Sequence, residues 1–460
     1  MHKFISKYGT AAHLALLAVA PLVIFPFFTA TTVAVVLLWL SLLAIMWVLM
    51  EPSRRADEML HDARSRVASS VIKDPLFWCF LVLIVFAYVR YLNSGIAMAY
   101  DPERSSWYIS EPTLKYMSAS VGEAGFLPFT IVVALTVLSI GLRHALGKGA
   151  RISYLMSGSF FAGVAAIIAA VLAISGHKCA LSATTCSTLT SSYSGSAFGL
   201  YLLAAIVAAA GALEIGWHGV TALSIIAIGG TAIGLWYFAP APVLLIYVVA
   251  ALIVLLVSVA QLALKNSSIH AIKLVAVTII GILIPLLFIF IALPEGLNES
   301  RLEAFGGVNN MFSADFVKAR ELLCGIAAKV WRENLWTGTG IGSFSLDIRF
   351  NLRPSDWYTI KSTQACALNG WWTFMAERGA IGCMSIAVVL GLLLFTLVQR
   401  IAASSMKNLF IPFVALAMVA TAALAVESLF DISFLRSESL MAIFSFISLS
   451  AWAFPLNKSK

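Results

Sequence analysis

Arg320, Glu377 and Arg378 are the side chains best placed by type and spacing to do chemistry, and each sits where a charge is costly. Arg320 falls on the apolar side of an expected helix, with Phe316, Leu323, Cys324, Ala327 and Trp331. A charge there either pairs with a nearby carboxylate or is held inward to grip phosphate with the planar fork of guanidinium donors. Glu377 and Arg378 follow the pair Trp371 and Trp372 in ALNGWWTFMAERGAIG. At ~1.5 Å per helical residue they lie roughly 7–9 Å beyond those rings, a depth at which ionisable groups in a membrane are paired or functional. Between these pieces, WTGTGIGSF carries Gly338, Gly340 and Gly342 in alternation. Such glycines permit unusual backbone shapes and close approach of a ligand or another chain segment. No Gly-Lys-Ser/Thr follows, so this is not a Walker loop, and the strand-helix setting of a dinucleotide site is missing.

The elements that must hold these residues are mostly membrane helices. The chain has 460 residues, of which 61% are hydrophobic and 11% charged, with mean hydropathy +0.94. Soluble domains carry about 25% charged residues, so this composition belongs to an integral membrane protein. Apolar runs of ~20 residues suit helices crossing a ~30 Å hydrocarbon layer, and the alternation of an outer-membrane barrel is absent. We expect an all-α polytopic protein with about twelve spans, near residues 11–28, 31–50, 76–93, 125–142, 153–175, 197–214, 219–238, 243–264, 274–293, 371–398, 410–430 and 438–455. The N-terminal apolar run resembles a signal peptide, but its length and the second run from Thr32 favour two retained spans.

Lysine and arginine orient the array. With the N-terminus inside, sixteen of the thirty fall on inside segments and five at short outside ends; the other nine lie between Pro294 and Arg378. Both termini are thus expected in the cytoplasm and the long segment outside. The chain divides into an N-terminal bundle of about nine spans (1–293), an outside segment with an amphipathic helix and the Gly-rich turn (294–370), and about three C-terminal spans (371–460). The helix should run from an N-cap at Ser313 to about Arg332, with Lys318, Gly325, Lys329 and Arg332 on its polar side. Arg90, Glu427, Asp431 and Arg436 fall at outer span ends as well, outlining a polar cavity that opens outward. The net charge of +8 is scattered among loops and does not describe a nucleic-acid surface.

Other features are less directive. Cys179 and Cys186 share an outside loop, where either a disulfide or two free thiols is consistent with the sequence. Six cysteines and seven histidines show no zinc-ligand spacing, and no metal or other cofactor is expected. The first inside loop, from Arg54 to Asp74, reads as a solvated or membrane-surface helix. Tyr100, Trp107, Tyr108 and Tyr116 suit an interfacial belt better than a sugar-stacking platform.

Arg320, NLWTGTGIGSF, ALNGWWTFMAERGAIG and ESLFDISFL, in that order, resemble the O-antigen ligase and O-antigen polymerase superfamily over roughly 313–385 and 426–440. The resemblance implies a bacterial inner-membrane protein with a large periplasmic segment between its ninth and tenth spans and a GT-C-like architecture. It implies glycan transfer from a polyprenyl diphosphate donor to an acceptor, either the growing glycan or the lipid A core, on the periplasmic face and without a metal. A chain-length regulator and membrane lipids are the further partners it suggests. Arg320 matches the family's arginine before the Gly-rich turn; Arg378, Arg436, Asn369 and the three glycines complete the expected substrate-binding set.

The chain departs from that pattern at Leu368, which stands before Asn369 where ligases carry a histidine. The last histidine is His270, on the expected inside face. A polymerase-like enzyme using Glu377 or Asp356 as its base, an enzyme whose acceptor needs little activation, and a non-catalytic assembly subunit all fit. A multi-span transporter is the reading from a different class.

Overall fold

In a computed structural model of the chain, the described residues are 69, 71–92, 98–101, 106–109, 122–144, 148–174, 195–216, 218–239, 241–264, 268–292, 314–340, 343–352, 369–403, 410–429 and 437–450. Their helices are α1 (Pro75–Leu92), α2 (Gly122–His144), α3 (Lys148–Ile174), α4 (Gly195–Ile215), α5 (His218–Phe238), α6 (Ala241–Leu264), α7 (Ser268–Ala292), α8 (Ala314–Glu333), α9 (Phe344–Asn351), α10 (Gly370–Ala403), α11 (Phe410–Glu427) and α12 (Ser437–Ser450). A small antiparallel hairpin, β1 (Met98–Asp101) and β2 (Ser106–Ile109), pairs Tyr100 with Trp107 and Ala99 with Tyr108. Tyr100, Trp107 and Tyr108, expected at an interfacial belt, fall on this hairpin.

The protein is a helical membrane protein. Ser196–Ile215, Pro242–Leu264 and Gly370–Gln399 are long and apolar enough to cross a membrane. Shorter apolar stretches occupy α1, α2, α3, α5, α7 and α11. Every expected span from 76–93 onward coincides with a helix, to within a few residues at most ends. The first two expected spans, the Cys179–Cys186 loop and most of the first inside loop lie outside the described residues.

α4 is the axle of the bundle. Its sequence GSAFGLYLLAAIVAAAGALEI is apolar on all sides, the pattern of a helix with no lipid or water face. Its membrane-length stretch is wholly buried, surrounded by α3, α5, α6, α7, α11 and α12. Small residues such as Ala204, Ala205 and Ala208 let those neighbours approach closely, which drives helix packing where no hydrophobic effect operates. Polar ties cross the bundle: Tyr154 on α3 bonds Ser445 on α12 at 3.0 Å, and Ser450 donates to the Phe413 carbonyl at 2.7 Å.

At one end, Asp74 caps α1 by accepting the Leu76 amide at 3.1 Å and pairs with Arg143 on α2, also at 3.1 Å. A second, smaller core lies apart from the bundle's main one. Leu323, Ile326, Ala327 and Val330 of α8 pack with Phe344 and Ile348 of α9 against Ala376 of α10. This core seats the segment between α7 and α10 on the first turns of α10.

Candidate functional site

α8 has the two sides its sequence requires. Lys318, Gly325, Lys329 and Arg332 are exposed, while Leu323 and Ala327 are fully buried. Ser313 and the Phe316 side chain lie outside the described residues. Arg320 lies on the border between the two sides and is half-buried. Its Nη2 donates to the Leu429 carbonyl at 2.7 Å, just past the end of α11. A cation at a helix C-terminus meets the negative end of the dipole and satisfies a backbone acceptor at once. Burial pushes the Cys324 thiol beneath it upward, against the opposing pull of the Arg320 charge.

The same end of α11 gathers further partners. The Ala425 carbonyl accepts Trp371 Nε1 at 3.2 Å, and the Ser428 carbonyl accepts the Gly370 amide at 2.8 Å. Glu427 is buried; Ser196 at the start of α4 donates to its Oε1, and the Tyr247 hydroxyl of α6 donates to Oε2 at 3.0 Å. The bundle, α8 and the start of α10 are thus joined through residues 425–429.

Asn369 is the N-cap of α10. Its Oδ1 accepts the amides of Trp371 and Trp372 at 3.0 and 3.3 Å. Trp372 meets Trp331 of α8 edge to face, with ring centroids 6.3 Å apart. Thus the tryptophan pair fixes α10 to its neighbours through one ring each.

The glycine turn and α10 form a single backbone structure. α10 breaks at Gly379, where φ is 62° and ψ is −170°. The helical bonds of Ala380 to Ala376 and of Ile381 to Glu377 are replaced by bonds to the turn. Thr339 and Gly340 amides donate to the Ala376 and Glu377 carbonyls, both at 3.0 Å. The Ala380 and Ile381 amides donate to the Leu335 and Trp336 carbonyls at 2.8 and 3.0 Å. The turn supplies two donors and two acceptors to the four groups that the break releases. In a membrane span each would otherwise cost several kcal/mol, roughly the penalty for an unsatisfied group in hydrocarbon. Gly338, with φ of 64°, donates its amide to the Asn334 carbonyl at 2.9 Å. The close approach anticipated for these glycines is therefore made by α10 itself, for Gly338 and Gly340; Gly342 lies outside the described residues.

Glu377 and Arg378 sit at this break. Glu377 is buried, 7% exposed, and its charge bears on the Arg378 guanidinium. Arg378 stacks over Phe374, Cζ lying 4.8 Å from the ring centroid, and its Nε is buried with no hydrogen-bond partner among the described residues. A buried carboxylate and a guanidinium with a spare donor, held at a broken helix, can bind an anion and accept a proton in one place. Asp356, Asp431 and Arg436 lie outside the described residues, as does the Arg90 side chain.

The sequence reading missed Asp347. It lies one turn into α9, where its Oδ2 accepts the Thr339 hydroxyl at 2.8 Å. Ser343 Oγ ties the same turn by donating to the Gly340 carbonyl at 2.6 Å. Burial raises the Asp347 carboxyl above its ordinary range, outweighing the hydrogen bonds from Thr339 and Ser343 that act the other way. The spacing of Ser343 and Asp347 was the available signal, four residues apart and so on one helix face. Among the described residues no group of three His, Cys, Asp or Glu side chains is assembled as a metal ligand set.

The chain matches no protein-family model and no curated protein.

Proposed function

We propose that the chain is a membrane glycosyltransferase of surface polysaccharide assembly. It would transfer or polymerise glycan from a polyprenyl diphosphate carrier on the periplasmic face of the bacterial inner membrane. The supporting observation is the break in α10, which sets buried Glu377 beside an Arg378 whose Nε has no hydrogen-bond partner among the described residues. In this reading the acceptor hydroxyl oxygen attacks the anomeric carbon of the donor. The bond from that carbon to the diphosphate oxygen breaks, and the carrier diphosphate leaves with the electron pair. Arg378 stabilises the charge as it develops, and Glu377 takes the acceptor proton. A hydrogen bond to a charged group contributes ~1.5–3 kcal/mol, so even one spare guanidinium donor alters the leaving step appreciably.

Arg320, Asn369, Gly338 and Gly340 serve this site by holding it, through the contacts at Leu429, the α10 N-terminus and the break. Arg436 and Gly342 keep their proposed substrate-binding roles, and Asp356 remains the other candidate base. The reading also entails about twelve spans, cytoplasmic termini and a GT-C-like plan. Deleting the gene, with its neighbours intact and no paralogue present, should shorten or remove the surface polysaccharide seen on a gel. An unchanged polysaccharide contradicts the proposal.

The break also favours a second reading, since discontinuous spans build transporter sites. Here, however, each of the four released backbone groups already has a partner in the turn. A non-catalytic assembly subunit would keep the fold but tolerate loss of Glu377.

A further inference from the structure

A cavity of about 400 Å³ opens at the other end of the bundle, where α4 ends and α5 and α7 begin. Leu213 in its wall is seventeen residues along α4 from Ser196, so the cavity lies roughly 26 Å from the Glu427 junction. His270 and Lys273 are among its lining residues together with Ile225, Val277 and Ile280, of which Val277 is buried and Ile280 exposed. Around it, Leu223 and Ile226 of α5 and Ile269, Ile272 and Ile279 of α7 are exposed, as befits helix faces turned to lipid chains. The N-termini of α5 and α7 and the C-terminus of α4 all meet here, so the helix dipoles partly offset one another and the cation in the lining is Lys273. Glu214, the nearby carboxylate of α4, is not among the lining residues.

We propose that this cavity is a binding site for an anionic phospholipid. Lys273 and His270 hold the headgroup phosphate, and one acyl chain enters between α5 and α7 beside Ile225, Val277 and Ile280. A lysine that only reaches for the membrane surface needs no cavity beneath it. A cation and a ring N–H in the lining of a mostly apolar cavity are complementary to a phosphate carrying a hydrocarbon chain. The site is separate from the α10 break, and it stands whether or not the chain transfers glycan.

The test uses the purified full-length protein in neutral detergent, titrated with phosphatidylglycerol and with phosphatidylcholine and followed by native mass spectrometry. Phosphatidylglycerol should bind about tenfold more tightly than phosphatidylcholine, and the double change His270→Ala with Lys273→Ala should remove that preference. Ile280→Trp, which fills the slot and leaves both polar groups in place, should lower phosphatidylglycerol binding to a similar extent. Inorganic phosphate at millimolar concentration should not displace the lipid. Equal binding of the two lipids, or an unchanged preference in both variants, overturns the proposal. Full displacement by phosphate also overturns it, by making the site one for a free anion.

Discussion

A β-carbon placed on Gly379 would lie 2.5 Å from the amide nitrogen of Gly338. The converse holds too, since one on Gly338 would fall on the Glu377 carbonyl and the Arg378 amide. The turn and the broken span can therefore close on each other only with hydrogen at both positions. Both residues also have positive φ, 64° and 62°. Two motifs forty residues apart are in this way one structural unit, and Glu377 and Arg378 are held at its centre.

Gly338→Ala and Gly379→Ala should each destabilise the protein by about 2–4 kcal/mol, from the backbone conformation and the displaced contact together. Because the two share one contact, the double variant should cost less than the sum of the singles. Thermal melts of the detergent-solubilised variants measure this. Additive losses would mean that the two glycines act independently.

Asp347 gives a pH dependence of defined sign. Its folded carboxyl titrates above the ordinary value of 3.8, so the native state holds its proton over a range where the unfolded chain has released it. Its contribution is fully present below the unfolded value and is lost as pH rises through the folded one. Asp347→Asn should abolish that part of the pH slope and leave stability at pH 7 equal to or above that of the parent. Melting temperature from pH 4 to pH 8 reads it out; a variant less stable at pH 7 alone contradicts it.

Arg320 is an anchor between α8 and α11. Arg320→Ala should lower hydrogen-exchange protection in α8 about tenfold, the equivalent of one charged hydrogen bond at ~1.5 kcal/mol. Arg320→Lys should recover part of it, since one ammonium donor suffices for a single carbonyl. If α8 protection is unchanged in both, while transfer is lost only in the lysine and alanine proteins, Arg320 acts on substrate instead.

The apolar helices and the sidedness of α8 were legible in the sequence because both are local. A run of ~20 apolar residues and a 3.6-residue period need no knowledge of partners. The charges between Arg320 and Arg378 stood out for a similar reason, since charged residues are rare in this chain. What occupied the close approach at Gly338 was not, because backbone bonds to Ala376 and Glu377 leave no side-chain pattern. Nor was the partner of Arg320, a main-chain carbonyl more than a hundred residues away. Glu427 could be seen as an outer-end charge, but its partners Ser196 and Tyr247 lie 231 and 180 residues distant. Asp347 was passed over beside the glycines, and the hairpin of β1 and β2 is too short to announce itself by alternation.

Glu427 ties α11 to α4 and α6, so Tyr247→Phe should cost about 1–3 kcal/mol by leaving a buried carboxylate oxygen without its donor. Glu427→Ala should cost more, because two buried hydroxyls then lose their acceptor. Yield and melting temperature in detergent measure both; a Tyr247→Phe protein as stable as its parent would show that the tie contributes little.

The most direct test supplies the purified protein with lipid-linked glycan extracted from its own host, together with host acceptor, and follows the glycan and the released carrier diphosphate. The parent protein should transfer glycan with stoichiometric release of carrier. Glu377→Gln should be at least a hundredfold slower while folding normally, the loss expected for removal of a general base. Transfer at the parental rate by Glu377→Gln, or no transfer by the parent with donor and acceptor both present, contradicts the account.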